Sequence, residues 1–490
     1  MKINKILLFG MMMVSSIFIN NKSLASNSDY QDNPKVIGFG GSNSDYFRSI
    51  INTSDGGFAV AGYYTLSKDL EIPVLGTYDA LVAKYDKNGN QEWYNIFGGS
   101  EVDDFFSIVE APDGGFICIG ESRSTNAGFS NRGSEDGVFV KYDINGNREW
   151  IKSFGGSGRD FLYSAIRTSD NGILCVGESS SKDFGFTHQG GGWDAFIVKF
   201  NSDYTRQWIK NFGGSYNEEF YSAIETSDGG FIAVGSSISS NAGFTHKGGG
   251  DAIIVKYSSN GDQEWFKSFG GSDTDSFRSV IQTPDSGFVV TGYSTSTDAG
   301  FISKGNNDAI MVKYNSNGEE QWVRTFGGSN NESFSKIMKT LDGNFIVTGS
   351  SSSTDAGFSN KGGSDVVMIK YNSDMEQQWI NTFGSSGNDV FNLIIETSDG
   401  DLRCAGYTTS NDLGFENKGK EDAMVVIFTI KDECLSSIKV AEANPTYENI
   451  SKARMLINAM PEGPEKDAYQ LRLNAIIPEI TFDKKIIVQT

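Results

Sequence analysis

FGGSYNEEFYSAIETSDGGFIAVGSSISSNAGFTHKGGGDAIIVKYSSNGDQEWFKS, from Phe212 to Ser268, decides the fold, because most of the remaining chain restates it. The phrase F-G-G-S opens at Phe39, Phe97, Phe154, Phe212, Phe269 and Phe326, and returns as F-G-S-S at Phe383, at intervals of 57 or 58 residues. A fixed period of this length marks stacked supersecondary units, each too small to bury its apolar face alone. The quoted unit holds four strand-like runs: Phe220–Thr226, Phe231–Ser236, Asp251–Tyr257 and Gln263–Phe269. They are short and rich in Val, Ile, Phe and Tyr. Asp228-Gly229-Gly230 and Asn260-Gly261, which supply positive φ for tight hairpins, close the first and third runs. A long Ser/Gly-rich loop joins the second to the third. No 3.6-residue apolar period runs through the unit, so helical repeats are excluded. Four antiparallel strands repeated around an axis make a β-propeller blade.

Counting strands predicts how the ring closes. First strands with their D-G-G-like turns end seven times, at Asp55, Asp113, Asp170, Asp228, Asp285, Asp342 and Asp399. Third strands begin seven times, at Asp79, Asp136, Asp194, Asp251, Asp308, Asp365 and Asp422. Fourth strands carrying tryptophan occur only six times, at Trp93, Trp150, Trp208, Trp265, Trp322 and Trp379. The missing strand is at the other end: Asn33–Gly41 (NPKVIGFGG) aligns with the fourth-strand phrase, with Lys35 where Trp stands elsewhere. The reading is an all-β, seven-bladed propeller whose N-terminal strand completes the last blade, removing two open sheet edges.

Periodic side chains read first as architecture. The six tryptophans are expected to pack blade against blade. Lys84, Lys141, Lys199, Lys256, Lys313 and Lys370 are expected to pair with neighbouring carboxylates, with Ile427 breaking the series. Cys118, Cys175 and Cys404 occupy one strand position that elsewhere holds Val or Ala, so they read as core thiols and not as a disulfide framework.

The net charge of −21 argues against nucleic acid and anionic lipid as partners. Lys2 and Lys5, the apolar run Ile6–Ile19 and Ser23-Leu24-Ala25 read as a signal peptide over residues 1–25, too short for a retained membrane span. The product is expected to be secreted, or held at the cell surface, without membrane insertion and as a monomer. Residues 33–432 form the propeller. Residues 433–490 differ in composition, and Ser436–Asn444, Tyr447–Met460 and Glu465–Ile476 read as helices, broken by Pro445 and Pro461. Ile450, Ala453, Leu456, Ile457 and Met460 form one apolar face, which Leu471, Leu473 and Ile476 are expected to oppose. Ile480–Val488 reads as a terminal strand.

The repeat, with G-G-S-x-x-[DE], D-G-G-F, G-x-x-D-A-x-x-V-K-Y and N-G-x-x-E-W, resembles the bacterial propeller repeats of the SBBP type over about residues 33 to 430. ISKARMLINAMPEGPEKDAYQLRLNAI is similar to small helical modules appended to secreted Gram-positive proteins. The resemblance implies an extracellular interaction or scaffold role and brings no common catalytic set.

If the first strand lines the channel, the fourth-to-first connections and the long second-to-third loops share one face. Three candidates fall there. Asp45, Asp103, Asp160, Glu218, Asp275, Glu332 and Asp389 follow G-G-S at one spacing and could ring a mouth, holding calcium or sugar hydroxyls. The structural alternative, preferred because all seven copies persist, is that each carboxylate accepts N–H bonds from its own loop. The long-loop phenylalanines, Phe129, Phe186, Phe244, Phe301, Phe358 and Phe415, read as plugs between blades or as a sugar platform. His188 and His246 hold equivalent loop places on neighbouring blades, and Trp193 is the one tryptophan outside the repeat position; without clustered Cys or acid partners the two histidines make a poor metal site.

There is no G-x-S-x-G elbow, H-E-x-x-H or P-loop in the sequence. The expectation is a binding protein for an extracellular glycan or protein, with no cofactor. The alternatives are a carboxylate-based glycan-active enzyme, or a structural envelope component without a discrete ligand.

Overall fold

The computed structural model describes residue 30 and residues 34–475, apart from 66–74, 130, 245–246, 302, 356, 399, 415–416, 430–433, 435–436, 439–440, 442–444 and 464–465. The signal segment, His246, Phe415 and Ile480–Val488 lie outside the described residues.

Seven four-stranded antiparallel sheets follow one another along the chain. The first blade is β2 (Tyr46–Asn52), β3 (Phe58–Thr65), β4 (Tyr78–Tyr85) and β5 (Gln91–Phe97), paired in that order. Its hairpins are chemically specified. Asp55 Oδ1 accepts the Gly57 N–H at 3.0 Å while Gly56 takes φ 85°, and Asp86 Oδ1 accepts the N–H groups of Asn88 and Asn90 while Gly89 takes φ 76°. First strands of neighbouring blades lie against one another around a central channel.

The last blade is mixed, as the strand count predicts. β1 (Lys35–Phe39) pairs antiparallel with Asp422–Phe428, in register from Lys35 opposite Ile427 to Phe39 opposite Ala423. Closure needs local substitutes. In three blades the ring of the fourth-strand Trp covers the next blade's hairpin glycine (Trp93 covers Gly146, Trp208 covers Gly261 and Trp265 covers Gly318), and Trp150 packs on Tyr204 at the equivalent place. In β1 that place is Lys35, whose Nζ donates to the Asn88 carbonyl at 2.6 Å on the corresponding hairpin of the first blade. The last blade has no hairpin for Trp379 to cover, and Tyr30 packs against its ring edge-on at 6.0 Å instead.

The repeated lysines behave as expected. Lys84 Nζ sits 2.9 Å from Asp55 and Lys199 Nζ 2.9 Å from Asp170, each ammonium buried behind the D-G-G turn of its own blade. Where Ile427 interrupts the series, Arg403 on the neighbouring strand replaces the cation. Its Nη1 donates to the Gly57 carbonyl at 2.8 Å and ties the last blade to the first.

The apolar core is a set of interblade layers, each drawing residues from two consecutive sheets. Cys118, Cys175 and Cys404 are buried free thiols in these layers. Beyond the ring, α1 (Tyr447–Ala459) starts at an N-cap Thr446 whose hydroxyl accepts the Asn449 N–H, and residues 466–475 are helical. Ile450, Ala453 and Ile457 pack with Tyr469 and Leu473. Leu471 does not oppose them: it is 75% exposed. Tyr469 and Leu473 are four apart and share a helix face, whereas Leu471 points away from it. Among the described residues, no helix is long and apolar enough to cross a membrane.

Candidate functional site

The ring acids enter the structure as loop fasteners. All seven are buried. Each accepts the backbone N–H four residues earlier, at 2.6 to 2.9 Å, from Gly41, Gly99, Gly156, Gly214, Gly271, Gly328 or Ser385. Hydroxyls leaving the second strand fill the remaining lone pairs, such as Ser124 on Asp103 at 2.8 Å and Ser237 on Glu218 at 2.7 Å. Asp45 takes the Thr65 N–H instead, at 2.8 Å. Burial pushes the Asp45 carboxyl up to about 7, against the N–H groups that favour its charge. Burial also raises Asp103, Asp160, Glu218 and Asp275.

Each ring acid faces the Asp that opens the preceding third strand, and the first glycine of F-G-G lies between them. A Cβ on Gly98 would come within 2.4 Å of Asp79 Oδ1 and 2.9 Å of Asp103 Oδ2. The acids thus form seven separate junctions between blades. Among the described residues, no group of three or more His, Cys, Asp and Glu side chains could hold a metal ion.

The long-loop phenylalanines are also drawn inward. Phe186 and Phe244 are buried against Phe154 and Phe212, and Phe129 stacks on Phe97 at 6.0 Å. His188 Nδ1 lies 3.6 Å from Asp194 Oδ1. Trp193 reaches the next blade, where its indole N–H donates to Glu219 Oε1 at 3.1 Å.

Around Trp193 the repeat breaks down. Arg159 lies over both the Trp193 and Phe161 rings and pairs with Glu135 at 2.6 Å, and Arg123 pairs with the same carboxylate. Tyr216, 54% exposed, is held at the surface by the Trp193 loop, whose Gly191 packs on the Tyr216 backbone. Phe184, 52% exposed at φ 56°, and Ile238 stand in adjacent long loops. Beneath lie Glu121 and Glu178. Burial first, then Asp104 and Glu135, push Glu121 up to about 8; burial, then Glu219, push Glu178 to about 8. On the neighbouring first and last blades Tyr46 packs on Tyr63 and Tyr407, with centroids 4.9 and 4.2 Å apart. The long-loop face therefore carries a charged, aromatic arc on the second to fourth blades and a tyrosine cluster where the ring closes.

Of the residues on this arc, only Trp193 stands out by type in the sequence. Glu121 and Glu178 occupy a second-strand position that holds Tyr or Ser in the other five blades. Aligning the blades and reading the misfits is the signal that finds them.

The channel is the second irregular surface. Every first strand bulges three residues after its ring acid. A bulge re-aims its extra side chain, and the bulged residues line the channel: Arg48, Phe106, Tyr163, Tyr221, Arg278, Ser335 and Asn392. In a chain this repetitive, seven equivalent positions hold five residue types. The cavity they surround measures about 510 Å³.

No family model matches the chain. It is similar to the regulatory protein FlaEY of Caulobacter vibrioides, 26% identical over 179 residues; the match covers 34% of this chain and 18% of that protein. Two solved structures align over most of its length. The β-propeller domain of the trilobed protease from Pyrococcus furiosus matches at 10% identity and TM-score 0.42, covering 78% of this chain and 98% of the domain. YCF48 bound to D1 peptide matches at 8% identity and TM-score 0.41, covering 82% of this chain and 96% of that one.

Proposed function

We propose that this propeller is a binding protein of the SBBP repeat type, exported by the segment over residues 1–25, that holds an extracellular glycan or protein on its long-loop face. The observation that carries the reading is the broken symmetry around Trp193. Exposed Tyr216 sits on the Trp193 loop, where Arg159 lies over the indole and is fixed, with Arg123, by one buried carboxylate, and exposed Phe184 lies 4.3 Å from the Arg132 guanidinium. Large aromatics with ordered arginines form the energetic centres of protein interfaces, and exposed rings also stack on sugars. The ring acids contribute by holding these loops in place; neither calcium nor another cofactor has a role in this reading. Propellers commonly mediate protein interactions, and the rigid ring supports the loops without paying for their ordering at each encounter.

A second reading has one specific support. Glu121 and Glu178 are two buried carboxyls on adjacent blades, both held protonated near neutrality, as an acid catalyst acting on a glycan would be. One experiment addresses both readings. The chain beginning at Ser26 is screened against glycan arrays and extracellular-matrix proteins, and each hit is followed for turnover. Binding without turnover, weakened about tenfold or more by Trp193→Ala or Tyr216→Ala, is the expected result. Turnover abolished by Glu121→Gln or Glu178→Gln would replace it with the enzyme. Binding unchanged in all four variants would remove the face from both readings.

A further inference from the structure

The channel carries a charge pattern that the long-loop face does not explain. Its lining includes four cations: Arg48, Arg167, Arg278 and Lys336. Two are partnered. Arg48 Nε donates to Asp104 at 2.7 Å, and Arg167 to the Asn171 side chain at 2.6 Å. The other two have no hydrogen-bond or ion-pair partner among the described residues. Arg278 stacks its guanidinium on Tyr221, 3.9 Å from the ring centroid, and faces Tyr293 at 5.4 Å. Lys336 has no ring contact either, and burial alone lowers the pKa of its ammonium. The carboxylate that lines the same cavity, Glu110, is occupied by the Ser54 N–H and hydroxyl at 2.9 and 2.8 Å.

Lys336 is also a departure from the repeat. Five blades place Ser at this position, as at Ser107, whose hydroxyl bonds the backbone of Ala165 in the next blade. The sixth blade gives up that bridge for a long cation. An unpaired ammonium inside a protein costs stability unless something neutralises it. In a chain of net charge −21, two unpaired cations on consecutive blades facing one cavity are opposite to the global trend.

We infer that the central channel is a binding site for a small ring-bearing organic acid, with Lys336 and Arg278 taking the carboxylate. It is joined to the long-loop face through Tyr221, whose hydroxyl donates to the Glu219 that also accepts the Trp193 indole N–H. Tyr163 and Tyr221, on the bulges of the third and fourth blades, offer ring faces to the body of the ligand. The cavity of about 510 Å³ is the size of small-molecule sites in general. The inference does not depend on what the long-loop face binds.

The test is calorimetric titration of the full chain with galacturonate, benzoate and inorganic phosphate, using galactose and benzyl alcohol as neutral counterparts. At least one of the two organic acids is expected to bind while its neutral counterpart does not; which one binds separates an acid sugar from an aromatic acid. Lys336→Met and Arg278→Gln should each weaken that binding about tenfold or more, and Lys339→Met, an exposed control, should not. A melting series adds an independent readout. Without ligand, Lys336→Met should melt no lower than the parent, because it removes an unneutralised, half-buried charge from the cavity wall, and it should lose the acid-induced rise in melting temperature. Equal binding of neutral and acidic probes, binding of phosphate alone, silence on both acids, or unchanged affinity in both variants would overturn the inference.

Discussion

Gly98 is fixed by its neighbours more than by its own backbone. Its Cα lies between the carboxylates of Asp79 and Asp103, where a methyl group would come within 2.4 Å of one oxygen and 2.9 Å of the other. Neither carboxylate can withdraw freely: Asp103 is held by the Gly99 N–H and two serine hydroxyls, and Asp79 by the Leu75 N–H at 2.9 Å. Gly98→Ala should therefore destabilise the protein by roughly 2–4 kcal/mol, measured by urea unfolding, whereas Gly114→Ala in a D-G-G turn should show strain from φ alone. A Gly98→Ala protein as stable as the parent would mean that the junction is loose. At this scale legibility followed copy number. The ring acids, the lysines and the tryptophans were readable because each position repeats, so its architectural role could be weighed against a ligand role. Glu121, Glu178 and Lys336 were not, since each is an exception to its column, and composition or motif spacing gives such a residue no weight. Trp193 was visible because its residue type is rare.

At the scale of elements, the closing strand was legible from the imbalance between first and fourth strands, but the devices that make it work were not. β1 must pair with Asp422–Phe428 without the hairpin that joins third and fourth strands elsewhere, so its register rests on five residue pairs and a few side chains. Lys35 substitutes for a tryptophan, Arg403 for a lysine and Tyr30 for the hairpin that Trp379 would cover. None follows the repeat, and sequence alignment alone reports them as mismatches. Removing Asn33–Gly41 exposes the edge of the last sheet and also takes the Gly41 N–H from Asp45. The deletion should lower the melting temperature by about 10 °C or more, or drive association through the open edge, seen by light scattering. A truncated protein that melts like the parent and stays monomeric would show that the three remaining strands hold the ring closed. The helical segment teaches the opposite lesson. α1 and its apolar face were readable from period, but the facing partner was assigned by hydrophobicity alone, and Tyr469 took the place given to Leu471 because helix geometry selects positions four apart.

Over the whole molecule, two populations of carboxylates set the response to pH, and their signs differ. The D-G-G aspartates are held low. Burial works against them, but a threonine hydroxyl, the buried lysine and a glycine N–H bring Asp55, Asp170, Asp228 and Asp285 down to about 2. Their contribution to stability is complete above the ordinary carboxylate value and is lost as pH falls towards 2. The interior acids are held high, chiefly by burial: Asp79 to about 6, Asp45 and Glu396 to about 7, Glu121 and Glu178 to about 8. Between the ordinary carboxylate value and these raised values, the unfolded chain has released protons that the folded protein retains. Stability must therefore fall as pH rises through that window, and it levels off above about 8 where both states are ionised. The melting temperature should peak in mild acid, below neutrality, and decline on both sides. Glu121→Gln with Glu178→Gln removes two carboxyls raised to about 8 while leaving the D-G-G set untouched. The double variant should lose several degrees less than the parent between about pH 5 and 8, with its acid limb unchanged. A parent whose melting temperature rises steadily from pH 5 to 8 would mean that these carboxylates are ionised in the folded protein, neutralised by the arginines above them, and it would take away the proton that the catalytic reading of Glu121 and Glu178 requires.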